Sequence, residues 1–229
     1  MICAIHQPQY MPWLGYFDKI DKADVFILLD DVQFKKNEWQ NRNKIRTAQG
    51  WQWITVPVLH DFGQKINTVH IDNNKKWRHD HLRAIELSYG KAPYYGRYKD
   101  FIDELYKTEW FSLAKLNTFI IDKIVGFLGI GTKLVLASDF NIQAESTQRL
   151  IDLCRAVGAD TYLAGADGHK YMDVELFRSS GIVMQTQQYE HPVYPQLWCK
   201  KDGSGFVSHM AIIDVLFNHG DKSLEIIQA

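Results

Sequence analysis

Three cysteines in 229 residues, Cys3, Cys154 and Cys199, are odd in number and far apart, and no CxxC pair occurs. That argues against a disulfide framework and a structural zinc site, and it favours a reducing compartment. No apolar run approaches the ~18 residues of a membrane-spanning helix. The N-terminus carries neither a basic n-region nor an apolar h-region, and "MICAIH" reads as a buried first strand, so a cytoplasmic protein without membrane insertion is expected. The formal net charge is −1, which gives no electrostatic case for nucleic acid or an anionic membrane as main partner. Repeats, low-complexity segments and Pro/Ser linkers are missing. So are the GxSxG, Walker A, HExxH and Cys–His nucleophile patterns. "GFLGIG" (126–131) follows a helical stretch and precedes a strand, the reverse of a dinucleotide fingerprint. "HDH" (79–81) sets its histidines about 200° apart on a helix, so they cannot share a metal. No metal is expected, and no cofactor is indicated beyond an acyl-donor cosubstrate of unknown identity.

What is abundant is aromatic: seven Trp, eleven Tyr and twelve Phe make 13% of the chain, within an ordinary 46% hydrophobic and 23% charged composition. That excess suits a thick core and suits stacking on flat ligand faces. The order of elements reads as α/β. "ICAIH" (2–6) is a core strand, 14–22 a short amphipathic helix and "ADVFILLDD" (23–31) a second strand, apolar on both faces. This βαβ unit places the loops after His6 and after Asp30 on one edge of a mainly parallel, Rossmann-like sheet, where ligands of open α/β sheets bind. Residues 43–58 predict a hairpin turning at Gln49-Gly50, and "TVHI" (68–71) a further strand. Helices are expected over 76–90, 98–107 and 112–128, and a strand over 132–138. A second α/β run follows: helix 146–158 with Ser146 as N-cap and Gly158 as stop, strand 160–164, strand 181–189, and helix 208–220 between Ser208 and Gly220. The simplest organisation is a single α/β domain over 1–229 with a mostly helical insertion at about 76–128.

Four stretches carry chemistry. In "AIHQPQYMPWLGYF" (4–17) Pro8 and Pro12 stiffen a loop that holds His6, Gln7 and Tyr10 in fixed directions, although Tyr10, Trp13 and Phe17 also suit a core. "DDVQFKKNEWQNRNKI" (30–45) concentrates Gln33, Lys36, Asn37, Asn41 and Arg42 around Trp39. Carboxamides both donate and accept, as sugar hydroxyls and amide edges require, while Lys and Arg meet phosphate. A solvated basic loop explains Lys35 and Lys36 equally well. "AGADGHKYMD" (164–173) offers Asp167, Gly168, His169 and Tyr171 on a turn that lets backbone approach a ligand. "YEHPVYPQLW" (189–198) repeats the opening's flavour with His191 and Tyr194.

"HQPQYMPWLGYFDKI…DDVQFKKNEWQNRN", "GADGHKYMD" and "IDVLFNHG" together resemble the WbqC-like protein family over Ile5 to Gly220. Members of that family occur with genes for O-antigen (lipopolysaccharide) and other bacterial surface polysaccharides. The resemblance implies a nucleotide-linked sugar, often an amino sugar, as small-molecule substrate, and leaves room for a homodimer. The layout is also similar to pantothenate synthetase and other nucleotidylyltransferase-like enzymes. There a HxGH motif binds ATP phosphates; here the place reads Trp13-Leu14-Gly15-Tyr16, without the histidines, while Gln33 falls at an acid-binding glutamine. The expected activity is a transferase placing an acyl or aminoacyl group on the sugar amine, with His6 as base, Gln7 and Asn41 as oxyanion donors, and Arg42 and Lys36 on the pyrophosphate. The alternatives are an ATP-dependent ligase and a non-enzymatic sugar-nucleotide binder.

Overall fold

A computed structural model describes residues 1–170, 172–200 and 204–229, with His169 described by its backbone alone. Strand β1 (Ile2–His6) leads through the stiffened loop to helix α1 (Leu14–Asp21) and strand β2 (Val25–Leu28), whose four residues are all buried. Loop 29–41 then enters an antiparallel hairpin, β3 (Arg42–Thr47) and β4 (Gly50–Thr55), in which Lys44 faces Trp53 and Arg46 faces Trp51. Gly50 closes the turn at φ +131°, open to glycine and strained for other residues. Two short strands, β5 (Val58–Leu59) and β6 (His70–Ile71), pair antiparallel.

Helices α2 (Trp77–Tyr89), α3 (Lys99–Lys107) and α4 (Leu113–Leu128) follow. Ser112 caps α4 by accepting from Lys115 N, and Gly129 ends it in the left-handed conformation. Strand β7 (Lys133–Leu136), helix α5 (Ser146–Ala156), strand β8 (Thr161–Ala164), helix α6 (Val174–Ser179) and strand β9 (Val183–Thr186) form the second α/β run. Helices α7 (Ile213–His219) and α8 (Ser223–Gln228) close the chain.

Two caps differ from expectation. Ser146 is the first residue of α5, at φ +51°, and the cap position falls to Glu145. Residues 208–212 are not helical, with His209 at φ +59° and Ala211 bridged to Trp13, so α7 starts five residues after Ser208. Helices α6 and α8 were not foreseen; Asp173 caps α6 by accepting from Leu176 N.

The five main strands form one sheet in the order β7-β2-β1-β8-β9, parallel throughout. This is the Rossmann-like α/β fold. Alternation along each strand divides the apolar residues between two cores. Ala4, Phe26, Leu28 and Leu163 face one with α1, α4 and α7; Cys3, Ile5, Val25, Ile27, Tyr162 and Ala164 face the other with α5 and α6. Among the described residues no helix is long and apolar enough to cross a membrane.

Candidate functional site

The chain moves outward from β1 through β2 to β7, then returns to lay β8 and β9 on the other side of β1. Strand order therefore reverses between β1 and β8, and a crevice opens at their carboxyl ends, the customary ligand position in such sheets. It is a cleft of about 260 Å³ lined by His6 from β1, by Trp13, Gly15, Tyr16 and Lys19 around α1, by Gly165, Ala166 and Asp167 after β8, and by Gln187 and Tyr189 after β9.

Each wall has a physical reason. Gly15 lies under the Trp13 indole; a Cβ there would stand 2.3 Å from the ring, so only glycine fits. Trp13 packs edge-on to Tyr189 and stacks on His209 and His191. Gln187 Nε2 donates to Gly15 O (2.8 Å) and to buried Asp18 (2.7 Å), tying the β9 loop to α1. Tyr16 Oη donates to Gln7 O (3.0 Å), and its ring meets His6 edge-on at 5.0 Å.

His6 Nδ1 lies 3.2 Å from Gln7 O, which only accepts, so Nδ1 carries the proton and Nε2 the lone pair. Nε2 has no hydrogen-bond partner among the described residues. Burial, aided by the charge of Lys19, lowers the His6 pKa from 6.5 to about 4, so the ring is neutral at pH 7. Lys19, 3% exposed, donates from Nζ to Ile5 O (3.0 Å), and burial lowers its pKa from 10.5 to about 8. A neutral imidazole with a free lone pair beside a lysine poised near neutrality can accept a proton and stabilise negative charge.

The loops after β1 and β2 lie side by side. Gln40 Nε2 donates to Gln7 Oε1 (2.7 Å), Tyr10 N to Trp39 O (2.9 Å), and buried Asn117 bridges Pro8 O and Gln40 O. Several residues singled out in these loops face elsewhere. Asn41 is buried, its Oδ1 accepting from Asn37 N and its Nδ2 donating to Val56 O, so it braces the loop. Tyr10 is fully buried, between Tyr106 Oη (2.7 Å) and His81 Nδ1 (3.0 Å). Tyr194 is buried and donates to Asp214 (2.9 Å). Gln33 is exposed and lines a different cavity of about 520 Å³, beyond β2, with Lys65, Ser138 and the Asp31–Arg149 ion pair.

Lys36, Asn37 and Trp39 lie on the exposed stretch leading to the hairpin, and Arg42 starts β3 with its guanidinium over Trp53 (4.2 Å). Asp167 lines the cleft while paired with Lys170 (2.6 Å). Gly168 packs so closely that a Cβ would stand 2.8 Å from Ala164 Cβ. His191 has both nitrogens engaged, Nδ1 with Pro192 O and Nε2 accepting from His209 N. Tyr171 lies outside the described residues. Lys19, Tyr16, Gln187 and Tyr189 were not anticipated. The signal for Lys19 was its place one helical turn after Gly15 and Tyr16, on the face of α1 that packs against the sheet.

Comparison with known proteins bears on the whole chain. No solved structure matches it. The protein Rv1507c of Mycobacterium tuberculosis (strain ATCC 25618 / H37Rv), described as uncharacterized, is 38% identical over 224 residues, 96% of this chain and 94% of its own length. The model of the WbqC-like protein family matches residues 7–226. With all but the first six and last three residues inside that match, every cleft-lining residue except His6 included, the chain belongs to the WbqC-like protein family.

Proposed function

We propose that this protein is a transferase that modifies a nucleotide-linked amino sugar in bacterial surface-polysaccharide (O-antigen) synthesis by moving an acyl or aminoacyl group onto the sugar amine. The observation that carries the reading is His6: a neutral imidazole at the strand-order reversal whose Nε2 has no hydrogen-bond partner among the described residues. His191 has no free nitrogen to offer as the rival base. At about 260 Å³ the cleft falls below the roughly 300–1,000 Å³ of pockets that enclose a drug-sized ligand. It therefore holds the reacting amine and acyl carbon, with the nucleotide outside it over the neighbouring loops.

In the reaction the sugar amine attacks the acyl carbonyl as His6 Nε2 takes the amine proton. The bond from the carbonyl carbon to the leaving group breaks, and the imidazolium returns the proton to the departing group. Lys19 and the backbone of the 165–167 turn are the groups at hand for the developing oxyanion. The acyl donor is a cosubstrate whose identity a thermal-shift screen of sugar nucleotides, coenzyme A thioesters and ATP addresses.

His6→Asn tests the assignment. Single-turnover rate should fall by roughly 10²–10⁴, with binding and melting temperature retained. The wild-type rate should hold down to acid pH and fall only near the lowered His6 pKa of about 4. Full turnover in a stable His6→Asn protein removes His6 from the mechanism. Pyrophosphate release from ATP, with no transfer from preformed acyl donors, moves the protein to the ligase class.

A further inference from the structure

The most unusual surface of the molecule lies outside the cleft, on one face of the β3–β4 hairpin. Trp51 is 44% exposed, Trp53 37% and Trp39 36%. The three indoles touch in series, with ring centroids 5.6 Å apart from Trp39 to Trp53 and from Trp53 to Trp51. A contiguous patch of large exposed aromatics marks a binding surface. Two cations lie on it: Arg42 over Trp53 at 4.2 Å, and Lys44 Nζ over Trp51 at 4.6 Å and Trp53 at 5.3 Å.

The way these cations are held identifies the ligand. An ion pair fixes a cation and also cancels its charge, whereas an aromatic face fixes it and leaves the charge uncompensated. Neither Arg42 nor Lys44 forms an ion pair among the described residues, and Glu38 is the only acid against five basic residues from Val32 to His60. The hairpin is also rigid. Asn43 is fully buried and donates to Met11 O and Tyr10 O, and buried Arg46 is held by four carbonyls, those of Thr47, Gly50, Trp198 and Gly205. Positive charge is thus pre-positioned beside flat apolar faces, a match for phosphate groups attached to a stacking ring.

The patch joins the cleft. Lys44 O accepts from Ala211 N (2.8 Å), Ala211 bridges to Trp13, and Trp13 forms a wall of the cleft. We infer that the Trp39–Trp51–Trp53 face, with Arg42 and Lys44, is the nucleoside-diphosphate subsite of the sugar nucleotide. This rests on the function proposed above and supplies the place for the part of the substrate that the cleft is too small to hold. A membrane-facing role fits less well, because these indoles are packed against one another and about half-covered instead of projecting as wedges.

The test uses the full chain and reads tryptophan fluorescence. Uridine diphosphate should quench saturably, inorganic pyrophosphate should compete with it, and affinity should drop as salt is raised. Lys44→Gln and Arg42→Gln should each weaken binding by roughly tenfold, as loss of one charge-assisted contact does, at unchanged melting temperature. The inference is overturned if quenching does not saturate, if Lys44→Gln and Arg42→Gln both bind as wild type, or if only anionic phosphatidylglycerol vesicles elicit the response. The His6→Asn protein separates the two readings. Wild-type binding of uridine diphosphate together with undiminished turnover in that variant would sink the assignment of His6 and leave the subsite standing. Lost turnover in His6→Asn beside unaltered binding in the hairpin variants would do the reverse.

Discussion

The buried histidine His81 makes an acid-sensitive joint between α2 and the hairpin. Its Nε2 lies 3.2 Å from Thr55 O and so donates, leaving Nδ1 to accept from Tyr10 Oη, which in turn accepts from Tyr106 Oη. Only the neutral ring satisfies that relay. Burial lowers the pKa from 6.5 to about 4. Between those values the unfolded chain holds the extra proton and the folded chain does not, so stability falls as pH drops through 6.5 and levels off below about 4. At about 1.4 kcal/mol per pKa unit, His81 costs about 2 kcal/mol between pH 7 and pH 5.

His6 shifts in the same direction, while the raised pKa of buried Asp214 works the opposite way, so the wild-type curve alone is ambiguous. Urea denaturation of wild type and His81→Gln at pH 7, 6 and 5 isolates the contribution of His81. The variant is destabilised at pH 7 by loss of packing and of the relay. Its deficit relative to wild type should shrink by about 2 kcal/mol by pH 5. A deficit constant across the three pH values would show that His81 is not held neutral and that Nδ1 does not accept from Tyr10 Oη.

Gly15→Ala should lower the melting temperature although alanine gains helix propensity of about 1 kcal/mol, because the added methyl meets Trp13; in a Trp13→Ala background the same change should be neutral or stabilising. Lys19→Met should still fold, since release of a buried charge offsets an unpaired Ile5 carbonyl. The folded Lys19 gives up its proton near pH 8 and the unfolded one near 10.5, so wild-type stability rises over that interval; the rise should vanish in Lys19→Met, as stability curves on the two proteins would reveal.

The main strands and most helices were legible because buried parallel strands read as short apolar runs and α2 to α4 keep a helical period. The caps were not, because Ser146 and Ser208 have cap-forming side chains but sit where the backbone is set by the positive φ of Ser146 itself after the 141–145 loop and by the Trp13–Ala211 bridge. The loops after β1 and β2 were identified as chemistry-bearing on composition, and composition cannot separate an amide that meets a ligand from one that satisfies buried backbone. Asn41 and Asn117 do the second. Tyr10 and Tyr194 are phenols that core carries only because each finds a partner. Lys19 escaped notice for the opposite reason: a lysine on an amphipathic helix reads as solvated, and only the tertiary placement of α1 on the sheet buries it.

The central strand of the sheet is β1, the first of its five strands in chain order. Strand β1 pairs with β2 about 22 residues away, Cys3 opposite Val25, but its other neighbour begins at Thr161, and β2 waits for Lys133. At roughly 5–20 residues per second, a ribosome needs about 8–30 s after making β1 to complete the strand that covers its second edge. Until β7 is made the apolar βαβ unit shows bare strand edges on both sides, the second edge of β1 stays bare until β8 follows, and pairing so distant in sequence is slow to form once available. Folding of this protein is therefore exposed to misassociation during synthesis, and truncation anywhere before residue 161 leaves its central strand without a partner on one side.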